Sequence, residues 1–323
     1  MRYNRLNMQR LIVLFSFLIM ISCSENSSTD QFNVVEVNGQ LAVVGNKIVN
    51  KYGDQVALKG VSYGWHNWWP QYFNASSVNT FATNWDCSVL RAAMGVDADD
   101  NCYINSPETS EKCVTTVVDA AIIEGVYVII DWHCHNVRTD EAVAFFDKMS
   151  KKYSGKSNVI YEIYNEPTDS QTWPEVKVYA KKVIEAIRNN EKNALILVGS
   201  PHWDTDLDLV AADPITGFTN IAYTLHFYAK THKADVRAKG DIALSKNLAL
   251  FVSECGAQDY TGAGDLDVAS WNEWMIWMKT NSISWCAWCV PSFVKDGVTN
   301  SRLWSSDEIS DWGTLVEKSI KSN

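Results

Sequence analysis

Eight short runs of apolar and β-branched residues recur along this chain at intervals of about 27 to 38 residues: 56–62, 88–93, 126–131, 159–164, 194–199, 221–228, 248–253 and 283–290. Each is too short for a helix and too continuously apolar for a strand with one wet face. Such runs read as strands buried on both sides.

Helical periodicity fills the gaps, over residues 115–124, 141–153, 174–189 and 271–280. In the third, Val176, Tyr179, Ala180, Val183 and Ile187 recur on one face. Strands alternating with helices imply a parallel sheet, and eight units imply an α/β fold of the closed (β/α)8, or TIM, barrel type in one domain. A doubly wound open sheet is the alternative, but it requires a Gly-rich phosphate turn after the first strand, and none is there. Residues 40–54, with Asn46-Lys47 and Gly53-Asp54 as turn signals, predict a short N-terminal β-hairpin that plugs the barrel bottom.

Ahead of the barrel, Arg2, Arg5 and Arg10 precede an apolar run over 11–21. That run is too short for a bilayer span of about 20 residues, and it ends at Ser22-Cys23 as a cleavable export signal does. Residues 1–22 are therefore expected to leave, with 23–37 as a polar tether and 38–323 as the folded domain. Losing three arginines and no acids takes the formal charge from −10 to about −13. Such a surface repels nucleic acid and anionic membranes and suits an uncharged partner.

Of eight cysteines, seven follow Cys23, so complete pairing within the chain is impossible. Cys102 and Cys113 flank a Ser/Pro/Glu-rich segment read as a loop, and could pair in an oxidising compartment. Cys87, Cys134, Cys255, Cys286 and Cys289 read as small buried hydrophobes. Cys286-x-x-Cys289 lacks the second pair that a zinc site needs.

In a barrel of this kind the chemistry sits at the C-terminal strand ends. There the chain places Arg91, then Asp131, His133 and His135, Asn165 and Glu166, His226 and Tyr228, and finally Glu254. An apolar strand ending in an ionisable group is costly unless the group has partners or work to do. Glu166 and Glu254 end strands four and seven, on opposite sides of a narrow mouth. Paired carboxylates facing each other are what glycoside cleavage requires: an acid to protonate the departing oxygen, and a carboxylate to meet the oxocarbenium carbon. Asn165 is placed to bond a sugar 2-hydroxyl, Arg91 and Tyr228 to hold Glu254 ionised, and His226 to tune Glu166.

The strings LKGVSYGWHNWW, VLRAAMG, VYVIIDWHCHN, NVIYEIYNEP, YTLHFYAKTH, LFVSECG and SISWCAWC, collinear from Asn38 to Trp312, resemble glycoside hydrolase family 5, in its bacterial endo-β-1,4-glucanase branch. The resemblance implies a (β/α)8 fold, no metal or other cofactor, and retention of configuration. It also implies Glu166 as acid/base, Glu254 as nucleophile, and Arg91, His133, Asn165, His226 and Tyr228 as supporting groups. Trp288 matches the tryptophan that packs under the sugar at the cleavage point; an aromatic face suits a neutral pyranose. Tyr63, His66, Trp68 and Trp203, with Trp65 and Trp69 beside them, are further candidates for the cleft. Trp271, Trp274 and Trp277 are spaced along a helix and read as packing. The string IMISC resembles a lipobox, making Cys23 the lipidation site. The implied protein is exported, touches a membrane only through that lipid, and acts on β-glucan as a monomer.

Three positions depart from the branch. Tyr63-Gly64-Trp65-His66 replaces a Ser-His-Gly step, Lys295 is the nearest match for a substrate-touching lysine, and Cys255 stands where a tryptophan is common. Mannan, xyloglucan and mixed-linkage β-glucan are open alternative substrates. Two other classes are also open: a metal-dependent hydrolase using His133 and His135, and a non-catalytic glycan-binding lipoprotein.

Overall fold

The structure, a computed structural model, describes residues 33–295 and 307–322. The export signal, Cys23 and most of the tether lie outside the described residues. The tether's last part is not extended: Val34–Asn38 form a short helix, capped by the Asn33 side chain, which accepts from Glu36 N.

Two antiparallel strands follow, β1 (Ala42–Val44) and β2 (Lys47–Val49). Eight parallel strands then close into a barrel: β3 (Lys59–Ser62), β4 (Val89–Gly95), β5 (Tyr127–His133), β6 (Val159–Glu162), β7 (Ile196–Val198), β8 (Ile221–Tyr228), β9 (Leu250–Gly256) and β10 (Ser284–Trp288). β10 pairs with β3 to complete the circle. Closure removes every sheet edge, so no barrel strand presents an unpaired backbone to solvent. β3 and β4 approach closely: a Cβ on Gly60 would lie 1.7 Å from the Val89 carbonyl oxygen, so no larger residue fits there.

The strands are buried throughout, and their side chains alternate in direction to make two apolar layers. Leu90, Val128 and Ile130 face outward to the helices, and Val89, Tyr127 and Ile129 face the barrel axis. The hairpin supplies Leu41 and Ile48 to the inner layer, among Leu195, Ala249 and Phe251 at the N-terminal strand ends. It therefore plugs the barrel bottom as its pattern predicts.

The helix between β4 and β5 spans Pro107–Glu124 and begins well before the periodic stretch at 115. Pro107 occupies its first turn, where a missing N–H costs nothing. The segment between Cys102 and Cys113 is thus largely helical, and both cysteines are free, as are the other five among the described residues. Trp271 and Trp274 are buried on the helix Val268–Asn281, where Trp274 stacks on Phe227 at 3.9 Å. Trp277 donates to Asp241. All three pack the domain as read.

Candidate active site

Parallel register sets the floor of the barrel mouth. Asp131 on β5 lies beside Glu162 on β6, and His226 on β8 beside Glu254 on β9. Arg91, fully buried, reaches from β4 into the middle. Its guanidinium donates to both Glu162 oxygens (2.7 and 3.1 Å), to Glu254 Oε2 (3.1 Å) and to Asn165 Oδ1 (2.7 Å), and it lies 3.0 Å from Asp131 Oδ2. A planar fork with five donors can serve this many acceptors without water; a lysine cannot. Burial alone would raise the Glu162 pKa, but Arg91 and His226 together outweigh it and hold the carboxyl below its ordinary value.

Glu254 takes its second hydrogen bond from Tyr228, whose hydroxyl donates to Oε1 at 2.7 Å. Across the mouth, Glu166 is hydrogen-bonded to His226 Nδ1 (2.9 Å) and to His135 Nε2 (3.1 Å). A carboxylate oxygen of each glutamate and a His226 nitrogen all lie within 4.8 Å of one another.

The two carboxyls have unlike surroundings. Burial works to raise Glu166, yet the bonds from His135 and His226 reverse it and leave the pKa below the ordinary value. Glu254 is raised, first by burial and then by the negative charge of Glu166, against the pull of His226, Arg91 and Tyr228. Groups this close titrate as a unit, with Glu166 and His226 competing for one proton. A divalent ion bound by Glu166, His226 and Glu254 would need a free imidazole lone pair. Both His226 nitrogens are hydrogen-bonded here, Nδ1 to Glu166 (2.9 Å) and Nε2 to Ser253 Oγ (2.9 Å).

Aromatic walls rise above this floor. Trp288 lies parallel to the His133 ring at 5.1 Å, and Trp65 meets that ring edge-on at 4.3 Å. His133 Nδ1 bonds Asp131 at 2.7 Å. Burial, and then Arg91, keep its pKa low, so a neutral ring borders the cleft. The cavity holds about 610 Å³ and runs from Trp65 and Trp288 past both glutamates to Trp203, His232, Lys239 and Tyr260. It is large enough for several pyranose rings and is lined largely by apolar faces.

Several expected site residues lie elsewhere. Tyr63 is fully buried under the loop after β3, bonded to Ser77 Oγ at 2.9 Å, and it packs on Phe73. His66 is buried behind the cleft wall, accepting from Gly95 N at 2.9 Å and paired with Ser110 at 2.8 Å. Neither faces the cleft: with Gly64 at φ 76° the chain turns, and Trp65 takes the place facing the cavity. Lys295 is exposed and bonds the Asp307 carbonyl at 2.6 Å, so it is not held at the mouth. Trp68 stays half exposed, its indole donating to Asp99 at 2.8 Å and its ring 4.8 Å from Trp65. Trp203 borders the cavity as expected. Cys255 is buried against the Cys286 carbonyl below Glu254.

The strand-end reading missed Glu162, Ser253 and Asp204, all buried beside the site. Glu162 is the last residue of β6 and Ser253 lies inside β9; the buried charge of Glu162 was the available signal. Asp204 lies in a loop, and nothing in the local pattern marks it.

The sequence pattern described as Cellulase (glycosyl hydrolase family 5) matches residues 49–293. An endoglucanase of Clostridium saccharobutylicum is 34% identical, over 95% of this chain and 72% of its own length. Endoglucanase A of Butyrivibrio fibrisolvens is 37% identical, over 84% of this chain and 69% of that protein. Among solved structures, one from Cytophaga hutchinsonii superposes with a TM-score of 0.87 at 38% identity, covering 90% of this chain and 96% of the other. The catalytic domain of Thermobifida fusca endoglucanase Cel5A superposes with a TM-score of 0.85 at 28% identity, covering 90% and 100%. A variant of that domain was solved in complex with cellotetraose. With three quarters of its length matched by the family pattern, and a closed eight-stranded barrel carrying two facing glutamates, this chain belongs to glycosyl hydrolase family 5.

Proposed function

We propose that the chain is a retaining endo-β-1,4-glucanase, with Glu254 as nucleophile and Glu166 as acid/base. The observation that carries this is the approach of the two carboxyls, whose oxygens come within 4.8 Å across the mouth. Retaining enzymes hold the groups about 5–5.5 Å apart, and inverting ones leave about 6.5–9.5 Å for a water.

In the first step a Glu254 oxygen bonds the anomeric carbon, the bond to the leaving oxygen breaks, and Glu166 supplies the proton that oxygen needs. In the second, water attacks the same carbon while Glu166 takes its proton, and Glu254 departs as carboxylate. Asn165 Nδ2 is buried with no partner of its own while its Oδ1 is pinned by Arg91, an arrangement that supports donation to the sugar 2-hydroxyl. The aromatic-walled cleft suits uncharged glucan, and the named relatives and the cellotetraose complex support β-1,4-glucan over mannan. The IMISC string supports export with a lipid on Cys23. Palmitate labelling lost in Cys23→Ser tests that part.

The deciding experiment is digestion of carboxymethylated cellulose, mixed-linkage glucan, xyloglucan and mannan, with product sizing and proton NMR of fresh products. Mid-chain cuts in cellulose with β-anomers appearing first are expected. Initial α-anomers would overturn retention, and preference for mannan would overturn the substrate.

A further inference from the structure

His226 is hydrogen-bonded with a definite polarity. Arg91 pins Glu162 as a carboxylate with 2.7 and 3.1 Å bonds, so Glu162 can only accept. Ser253 must therefore donate its one proton to Glu162 Oε1, at 2.6 Å. That leaves Ser253 Oγ as an acceptor toward His226 Nε2, at 2.9 Å. Nε2 must carry hydrogen whatever the other nitrogen does.

Asp204 closes the same side. Its Oδ2 lies 3.4 Å from His226 Nε2, and its Oδ1 accepts from Ser200 N. It reaches there from a turn in which His202, Trp203 and Asp204 all have left-handed φ, of 57°, 50° and 60°. Three consecutive non-glycine residues in that region are costly. The turn delivers Trp203 to the cleft and Asp204 to the imidazole.

We propose that Ser253 and Asp204 are positioning residues that keep His226 protonated at Nε2, so that His226 Nδ1 and Glu166 Oε1 together hold a single transferable proton. The inference rests on Glu166 being the acid/base. In the ready state that one proton lies between Glu166 and Nδ1. When Glu166 protonates the leaving oxygen, the pair is left with a carboxylate and an Nδ1 lone pair, while Nε2 keeps its hydrogen. Glu166 then recovers a proton from the attacking water. A flip to the other tautomer would put hydrogen on Nδ1 after transfer and remove the lone pair that accepts from protonated Glu166.

The charges facing His226 set how tightly that proton is held. Glu162 comes from β6, Glu166 from the segment after it, Asp204 from the turn after β7, and Glu254 from β9, all favouring it. Asp131 on β5 adds to them. Against them stand Arg91 on β4 and, when protonated, His135 just after β5; His133 on β5 and His232 after β8, both lowered by burial, face it as neutral rings. Burial disfavours the imidazolium, but the carboxylates outweigh it, Asp204 foremost, and raise the His226 pKa; burial pushes the Asp204 carboxyl up in turn, and the His226 charge works against that, so the two hold their charges together. Removing the Asp204 charge must weaken the hold on the shared proton, so the alkaline limb of activity moves to lower pH.

Two measurements on the full chain test this. Imidazole 15N NMR of the wild type across pH should show His226 Nε2 protonated throughout, with Nδ1 alone titrating; an unprotonated Nε2 at high pH overturns the proposal without needing any variant. In Asp204→Asn, the alkaline limb of kcat/KM on carboxymethylated cellulose should move down by about one pH unit or more with the acid limb in place, and a limb coincident with wild type overturns the role of Asp204. Dinitrophenyl β-cellobioside, whose leaving group needs no proton, should show no such shift. Glu166→Gln separates the two readings: wild-type kcat/KM on cellulose in that variant sinks the acid/base assignment, whereas the tautomer of His226 is read independently of it.

Discussion

Tyr228 donates its hydroxyl to Glu254 Oε1 at 2.7 Å from the neighbouring strand, on the opposite oxygen from Arg91. Burial, and then the Glu254 charge, push the phenol pKa up, so it remains a donor at any working pH. Removing it leaves the Glu254 carboxylate, the proposed nucleophile, more basic and less well aimed. Tyr228→Phe is expected to lower kcat by about 10- to 100-fold, in line with about 1.5–3 kcal/mol for a hydrogen bond to a charged group. The melting temperature should change little; steady-state kinetics and calorimetry check both.

Glu254→Gln keeps the shape of the side chain and removes the carboxylate oxygen that the proposed mechanism uses as nucleophile. Release of reducing ends should fall by about 10⁴-fold or more, with the circular dichroism spectrum unchanged. Activity within tenfold of wild type would sink the nucleophile assignment.

Arg91 joins three buried carboxylates, so its loss is a matter of stability before catalysis. Arg91→Ala should cost about 3–5 kcal/mol of unfolding free energy, because it strands Glu162, Asp131 and Glu254 as unpaired groups. Arg91→Lys restores a charge but not the fork, and should recover only part of it. Urea titrations of the three proteins decide this.

His66 accepts from Gly95 N through Nδ1, so the folded protein needs that nitrogen unprotonated. Burial lowers its pKa to about 4, against the raising effect of Asp99. The unfolded chain takes up the proton near pH 6.5, so acidification favours unfolding from there downward. The contribution lost between pH 6.5 and 4 approaches about 3 kcal/mol. In His66→Gln the fall in unfolding free energy over that interval should be shallower than in wild type, and parallel curves would refute the assignment.

Trp288 stacks on His133 at 5.1 Å and forms one wall of the cavity beside both glutamates. Trp288→Ala should lower kcat/KM on carboxymethylated cellulose by about 10-fold or more, as loss of an aromatic platform of about 1.5 kcal/mol implies. Trp68→Ala, farther out and half exposed, should raise KM alone.

The fold was legible because its signal is local and repeated. Eight apolar runs at a steady interval, with helical periodicity between them, leave few arrangements that bury both faces of every strand. The hairpin at 40–54 was legible for the same reason, its turn residues standing beside Leu41 and Ile48. Boundaries were less so. The helix at Pro107 was cut short because its first turns carry polar residues, and the tether hid the helix Val34–Asn38, whose single turn has no periodicity to detect.

Within the site, Glu166, Glu254, Arg91, Asn165, His133, His226 and Tyr228 announced themselves as polar residues ending apolar strands, a pattern that charge burial makes expensive and therefore informative. Tyr63, His66 and Lys295 were misplaced because a loop's direction is set by φ at a single residue such as Gly64, and by packing on distant elements. The sequence by itself determined the barrel and the identity of its facing glutamates. Only the tertiary structure decided that Trp65 rather than His66 faces the cleft, and that Glu162, Ser253 and Asp204 surround His226. Those contacts join residues from different strands across the barrel axis, and hydrogen-bond polarity exists only once the chain has closed around them.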